Sequence, residues 1–231
     1  MFGDGAWLRL GRFSSSWSLW RCLILHRSLR IIGRRKSTRR ETTSSPWSRK
    51  SFTPHENAFT GVYSHDYVTH AFHRGKTVPL PRTVEALFSF AEHENRVFLT
   101  VVEKKRLANF IANKLSEIIY EKFGRILVAR IPPETLRDFH LKNPEDTKVT
   151  FFDNVDIPNV EKLSLYGPDL VGTSLFEEYG KHGDLWYIVA RSREYGYVVG
   201  LTRDASVTIF NITDKSKYLE YVTKEIYPLL I

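Results

Sequence analysis

The sequence predicts an α+β domain of two similar halves, each a run of short strands closed by one helix. Three observations predict it. From Phe59 onward, β-branched and aromatic residues gather in short runs separated by turn residues. Twice, the apolar period changes to three and four, the mark of a helix with one buried face. The two strand–helix units also superpose without a gap at an offset of 111 residues.

The first fifty residues are a different polymer from the rest. They hold twelve Lys or Arg, with Asp4 and Glu41 as their only acids. They are rich in Ser, and Trp7, Leu8, Leu10, Phe13, Trp17 and Trp20 interleave with Arg9, Arg12 and Arg21 at roughly helical spacing. An amphipathic, Arg-rich, acid-poor start describes a mitochondrial presequence, and the expected localisation is the matrix. The apolar run "CLIL" is too short for a secretory signal or a membrane span. A basic arm that is kept is the other reading of the same charge block. Residues 1–50 are therefore expected to be presequence and basic linker. Residues 51–231 are expected to form the domain, with halves of about 58–123 and 124–231.

Without that segment the charge reverses. Residues 51–231 carry 22 Lys or Arg against 24 Asp or Glu, so the basic pI of about 9.5 belongs mostly to the leader. Whole-chain basicity is no evidence for nucleic-acid binding. Local charge is: Arg74 to Lys148 holds 14 bases and 10 acids, and Val149 onward holds 8 bases and 12 acids. Cys22 and Met1 are the only sulfur residues, so the body has no disulfide, thiolate nucleophile or cysteine zinc site.

In order along the body, "YVTHAF", "TVEALFSFAE" and "RVFLTVV" read as strands, with "HEN" at 93–95 as a hairpin turn. Leu107, Phe110, Ile111, Leu115, Ile118, Ile119 and Phe123 then give a helix, with Gly124 placed to stop it. Strands resume with "RILVARI", "KVTFFDNV", "EKLSLY", "LWYIVARS", "YGYVVGLT" and "SVTIFNI", while "YGPDLVG" and "YGKHGD" read as loops. A second helix starts near Thr213, an N-cap with Asp214 in the first turn. Its apolar stripe is Tyr218, Leu219, Val222, Ile226, Leu229 and Leu230. At the offset of 111, Phe98, Leu99 and Val101 fall on Ile209, Phe210 and Ile212, and Lys104 and Arg106 on Lys215 and Lys217. The helix stripes fall on one another too, Leu107 on Tyr218 through Ile119 on Leu230.

A twofold β-β-β-β-α layout ending in "NITDKSKYLEYVTKEIYPLLI" resembles the Whirly fold. Its group includes plant organellar single-stranded-DNA binders and the kinetoplastid mitochondrial guide-RNA-binding proteins. The closing piece is similar to the Whirly terminus in its strand, its Ile212-Thr213 step, its helix and its late Pro228-Leu229-Leu230. "FHRGKTVPLPR" at 72–82 resembles the family's Lys-Gly-Lys-containing strand start, with Arg74, Gly75 and Lys76 at the motif positions. "RVFLTVVEKKRLANFI" is similar to the strand and first helix of the first half. With its leader, the chain looks most like the guide-RNA-binding branch. The resemblance implies two antiparallel sheets packed with two helices, a heterotetramer with a related subunit, and no catalysis. It implies sheets that hold guide RNA by its phosphates, leave the bases free, and promote annealing to mRNA in RNA editing. Neither a cofactor nor a small-molecule substrate is implied. The slightly acidic body departs from the pattern, so binding needs segregated or partner-supplied positive charge.

Phosphate binding requires Lys and Arg spaced along an exposed surface. The candidates are Arg74, Lys76, Arg82, Arg96, Arg125, Arg130, Arg191, Arg193 and Arg203. Strand alternation places Arg191 and Arg193 on one face, and a hairpin around Tyr195-Gly196 would bring Arg203 back near them. Each of these is also an ordinary solvated strand position. Trp186, Tyr187, Tyr195 and Tyr197 suit base stacking, but strand aromatics more often pack in the sheet core or at a subunit interface, and they are left out of the set. His65, Asp66, His70 and His73 suggest metal ligation, but a strand puts His65 and His70 on opposite faces. There is no Gly-rich phosphate loop, no Gly-x-Ser-x-Gly elbow and no His-Glu-x-x-His. Two other classes stay open: a non-catalytic subunit of a mitochondrial ribosome or respiratory complex, and an organellar single-stranded-DNA-binding protein.

Overall fold

The computed structural model of the chain describes residues 6–11, 53–55, 58–143, 147–170, 172–212 and 214–231. Within them the strands are β1 (Ala6–Gly11), β2 (Thr53–His55), β3 (Ala58–His73), β4 (Lys76–His93), β5 (Arg96–Val102), β6 (Leu127–Val128), β7 (Val149–Asp153), β8 (Leu163–Tyr166), β9 (Asp184–Arg191), β10 (Val198–Thr202) and β11 (Ser206–Ile209). The helices are α1 (Lys105–Tyr120), α2 (Pro133–Lys142), α3 (Ser174–His182) and α4 (Lys215–Tyr221). The chain is α+β with two antiparallel sheets, β3–β4–β5 and β11–β10–β9–β7–β8. β1 lies between β5 and β11, antiparallel to both, and joins the two sheets edge to edge. β2 extends the free edge of β3, and β6 pairs with β1.

The first sheet is a meander with tight hairpins. The hairpin turn expected at 93–95 is a two-residue turn between the paired His93 and Arg96, with Glu94 and Asn95 both at positive φ. Arg74 and Gly75 make the same turn between β3 and β4, at φ 48° and 76°. β5 shows why this sheet carries helices on both sides. Val97, Leu99 and Val101 join Phe88, Phe90, Ile111, Leu115 and Ile119 in a core under α1. Phe98 points the other way into the larger core, against Tyr227 with ring centroids 4.7 Å apart. Strand alternation therefore feeds two cores from one strand.

The α4 stripe is buried as its spacing predicts: Tyr218, Val222, Ile226 and Leu230 are core residues, and Leu219 and Leu229 are half-buried. Asp214 caps the helix by accepting the Ser216 N–H at 2.8 Å, and Thr213 lies outside the described residues. After Tyr221 the helix widens to a π turn (Val222–Ile226) and tightens to a 3-10 turn at Pro228.

Several expectations are corrected. α1 ends at Tyr120, where Glu121 takes the left-handed conformation. Gly124 therefore lies past the cap, and Phe123 is exposed rather than part of the stripe. "RILVARI" yields only the two-residue β6, both of its residues exposed. Four helices are present among the described residues, against the two expected. α2 begins at Pro133, the helical position that tolerates a missing N–H. α3 takes up part of "YGKHGD", with the Thr173 hydroxyl accepting the Phe176 N–H at 3.3 Å. The second half thus carries two additional helices, and the halves are not equal. The 111-residue equivalence holds for the helix stripes but not the strands, because β11 ends at Ile209 and Phe210 is exposed.

The N-terminal segment also differs from its reading. Ala6–Gly11 is a strand within the sheet rather than a helical stretch outside the body. Over this piece a period of two fits as well as the helical one, since Leu8 and Leu10 alternate with Trp7 and Arg9. The open edges of β5 and β11 supply backbone partners for it. The remaining leader and linker, 12–52, lie outside the described residues.

Candidate nucleic-acid interface

β5 pairs with β4 only from Leu87 to His93. Beyond that point β3 and β4 continue, alone among the described residues, as a two-stranded arm, Tyr63–His73 against Lys76–Ala86. At about 3.3 Å per residue the arm is about 35 Å long. Cross-strand partners share a face, so the register places His65, Tyr67 and His73 with Lys76 and Arg82 on one side. Tyr67 stands opposite Arg82, and His73 opposite Lys76. His65 and Tyr67 stack in parallel, with centroids 6.4 Å apart and planes 8° apart. His65 also reaches Phe110, 5.4 Å away, which ties the root of the arm to α1. Arg74 sits at the tip. Arg74, Lys76 and Arg82 are exposed, and none has an ion-pair partner among the described residues.

Asp66 and His70 lie on the opposite face of the arm from His65 and His73. No group of three or more His, Cys, Asp or Glu able to hold a metal ion occurs among the described residues.

The other candidate cations are spread over the body. Arg96 opens β5, half-buried opposite His93. Arg125 and Arg130 flank β6, both exposed. The Arg125 N–H donates to the Ser116 hydroxyl at 3.0 Å, and the Arg130 carbonyl accepts the Ile231 N–H at 3.2 Å. Arg191 closes β9, with its guanidinium 3.5 Å from the Gly196 carbonyl. Arg193 lies in the following turn, exposed, its N–H held by the Asn143 side chain at 2.9 Å.

Arg203 is a correction in both position and chemistry. The β9–β10 register pairs Val198 with Arg191 and Thr202 with Tyr187, which puts Arg203 at the far end of the hairpin from Arg191 and Arg193. There its guanidinium makes a fork with Asp153, at 2.9 and 2.7 Å, and approaches Asp184 at 3.8 Å. A bidentate pair of this kind neutralises the cation and holds β7 to β10. Arg203 is therefore not a free phosphate contact.

The aromatics divide. Tyr195 and Tyr197 pack on Tyr221, at 5.2 and 5.6 Å, as part of the larger core. Trp186 and Tyr187 instead join Phe151 and Tyr166 on the sheet face turned away from the helices. A register shift between Phe151 and Phe152 inserts Trp186 into this face. Gly200 leaves room for the Tyr187 ring, because a Cβ there would lie 2.8 Å from its hydroxyl. The Lys162 ammonium is 5.8 Å from the Trp186 ring centre, and Tyr166 is 68% exposed. Partial burial raises the Tyr187 hydroxyl above its ordinary pKa. Phe151 and Tyr166 were legible only as strand residues. Which face stays open depends on where the helices pack.

No family model matches the chain, and no curated protein matches it. No helix among the described residues is long and apolar enough to cross a membrane. The fold and surface define an α+β protein with a projecting cationic arm and an open aromatic sheet face.

Proposed function

We propose that the chain is a mitochondrial RNA-binding and RNA-annealing protein of Whirly-like type, acting in the matrix with a related subunit. The observation that carries this reading is the arm. Arg74, Lys76 and Arg82 stand on a projecting ribbon without carboxylate partners among the described residues, in a body that is otherwise slightly acidic. Cations held at strand spacing neutralise successive phosphates and release their counterions, with no need to read bases. A strand held by its phosphates keeps its bases available, and the fixed cations lower the repulsion between a guide RNA and its mRNA. Arg96, Arg125, Arg130, Arg191 and Arg193 extend the cationic surface over the body.

A gel-shift series across salt, followed by a strand-annealing assay, tests the proposal. The expected result is affinity that falls steeply with salt, varies little with sequence, and accompanies faster annealing. Tight binding indifferent to salt overturns the phosphate mechanism. Binding without faster annealing removes the matchmaker role and leaves the binding role. Competition between RNA and single-stranded DNA of equal length separates this reading from an organellar DNA binder.

The aromatic face favours a second reading, a structural subunit of a larger mitochondrial assembly. Phe151, Tyr166, Trp186 and Tyr187 form the kind of apolar, rigid surface that protein interfaces bury. Stable residence of the native protein in a ribosome-sized or respiratory-complex particle supports that reading. A small tetramer supports the first.

A further inference from the structure

The two edges of the arm are unlike. On the β4 edge, Pro79 and Pro81 lack N–H groups, and prolines blunt a strand against pairing with other chains. On the β3 edge, residues 62–73 hold no proline, lysine or arginine. Among the described residues, β3 pairs on that side only through Ala58–Thr60 with β2. The prolines also fix which backbone groups face outward. Pro81 stands opposite Val68 and Pro79 opposite His70, so neither pair exchanges ladder hydrogen bonds. The N–H and C=O of Val68 and His70, and by alternation those of Phe72, therefore point away from β4 toward the open edge. Val68 is 58% exposed and Phe72 78% exposed beside it.

We propose that this edge is a self-complementary pairing site for a second copy of the chain, β3 against β3 in antiparallel sense about a twofold axis at Val68. The side chains select that register. Centred on Val68, it sets Asp66 opposite His70 of the copy, twice by symmetry, and Val68 opposite Val68. A shift of the centre to Thr69 sets Asp66 against Phe72, and a shift to Tyr67 sets Asp66 against Val68. Asp66 already accepts the Thr83 hydroxyl at 2.7 Å, and a carboxylate accepts several hydrogen bonds at once. The closed, two-sided contact satisfies both edges and does not propagate. It also places Lys76 and Arg82 of the two arms on the same side of a four-stranded sheet. The pairing itself does not rest on the RNA-binding reading.

The experiment uses the full chain in a Cys22→Ser background. In an extended pair exchanging hydrogen bonds, facing Cα atoms lie about 5.5 Å apart, within disulfide range. Val68→Cys should cross-link to a dimer under mild oxidation. Val78→Cys, which is also exposed but lies on the β4 strand, should not. Val68→Pro removes an N–H that β4 does not use, and should turn the dimer into a monomer in sedimentation while leaving the far-ultraviolet circular dichroism unchanged. His70→Asp should weaken the dimer, and Asp66→His with His70→Asp should restore it. A chain that is monomeric at high micromolar concentration overturns the proposal. So does equal cross-linking at positions 68 and 78, or a dimer that survives Val68→Pro.

Discussion

The Tyr227 hydroxyl lies 2.9 Å from the Thr100 hydroxyl, with both residues almost wholly buried. This bond ties the end of the chain to the last strand of the first sheet, 127 residues away in sequence. Burial pushes the Tyr227 phenol up to about 12, so it stays neutral and bonded throughout the physiological range. Tyr227→Phe should cost about 1–3 kcal/mol, because it leaves the Thr100 hydroxyl unpaired in the core. Adding Thr100→Val should recover part of that loss. Urea unfolding of the two single variants and the double variant measures the coupling, and strict additivity would refute it.

The Arg203–Asp153 fork predicts a separation of stability from binding. Both side chains are partly exposed, at 29% and 22%, so screening trims their worth. Arg203→Ala should lower stability by about 1–2 kcal/mol and leave the salt dependence of RNA binding unchanged. Lys76→Ala with Arg82→Ala should do the opposite. The midpoint of unfolding should hold, while the slope of log affinity against log salt falls by about 0.7 for each cation removed. A changed slope in Arg203→Ala would return that residue to the interface.

His140 sets an acid limit on stability. It is wholly buried against Phe176, with ring centroids 4.4 Å apart, and its Nε2 finds no hydrogen-bond partner among the described residues. Desolvation first, then the Arg137 charge, lowers its pKa from 6.5 to about 4, with Asp169 opposing. Between those values the unfolded chain binds a proton that the folded chain does not. Stability should therefore hold above about pH 6.5, fall toward pH 4 by at most about 3 kcal/mol, and level off below. His140→Gln should flatten that window. Parallel pH profiles for the two proteins would assign the acid sensitivity elsewhere.

β1 gives the leader a structural role to test. It pairs with β5 from Trp7 to Gly11 and with β11 at Ala6 and Trp7. If residues 1–50 are removed, alternate amides of β5 between Val97 and Val101 lose a partner and should exchange faster with solvent. The β3–β4 ladder near Phe88 should keep its protection. Hydrogen exchange before and after cleavage at a protease site placed within residues 12–52 measures both. Unchanged β5 exchange after the fragment is separated would show that β1 contributes nothing to the sheet.

Where a segment's own spacing matched a large buried face, the sequence alone determined the outcome. The stripe from Leu107 to Ile119, the α4 stripe from Tyr218 to Leu230, and the strands around Val97–Val101 and Val149–Asp153 are such segments. The turn at Glu94-Asn95 was legible through Asn95, one of the few residue types that readily accept positive φ. α2 and α3 were not, because Leu136, Phe139 and Phe176 are too few to write a period. Their signals were the Pro133 start and the Thr173 cap.

Charge was legible as composition but not as location. Arg203 and Lys76 look alike along the chain. Only the pairing of β7, β9 and β10 carries Asp153 to Arg203, and only the projection of the β3–β4 arm beyond β5 leaves Lys76 without a carboxylate among the described residues. Likewise, alternation told that Phe151 and Phe152 face opposite ways, but the packing of α3 decided which of them is buried. Local spacing is a property of neighbouring residues. Exposure and electrostatic neutralisation depend on groups tens of residues away, and the tertiary structure alone brings those together.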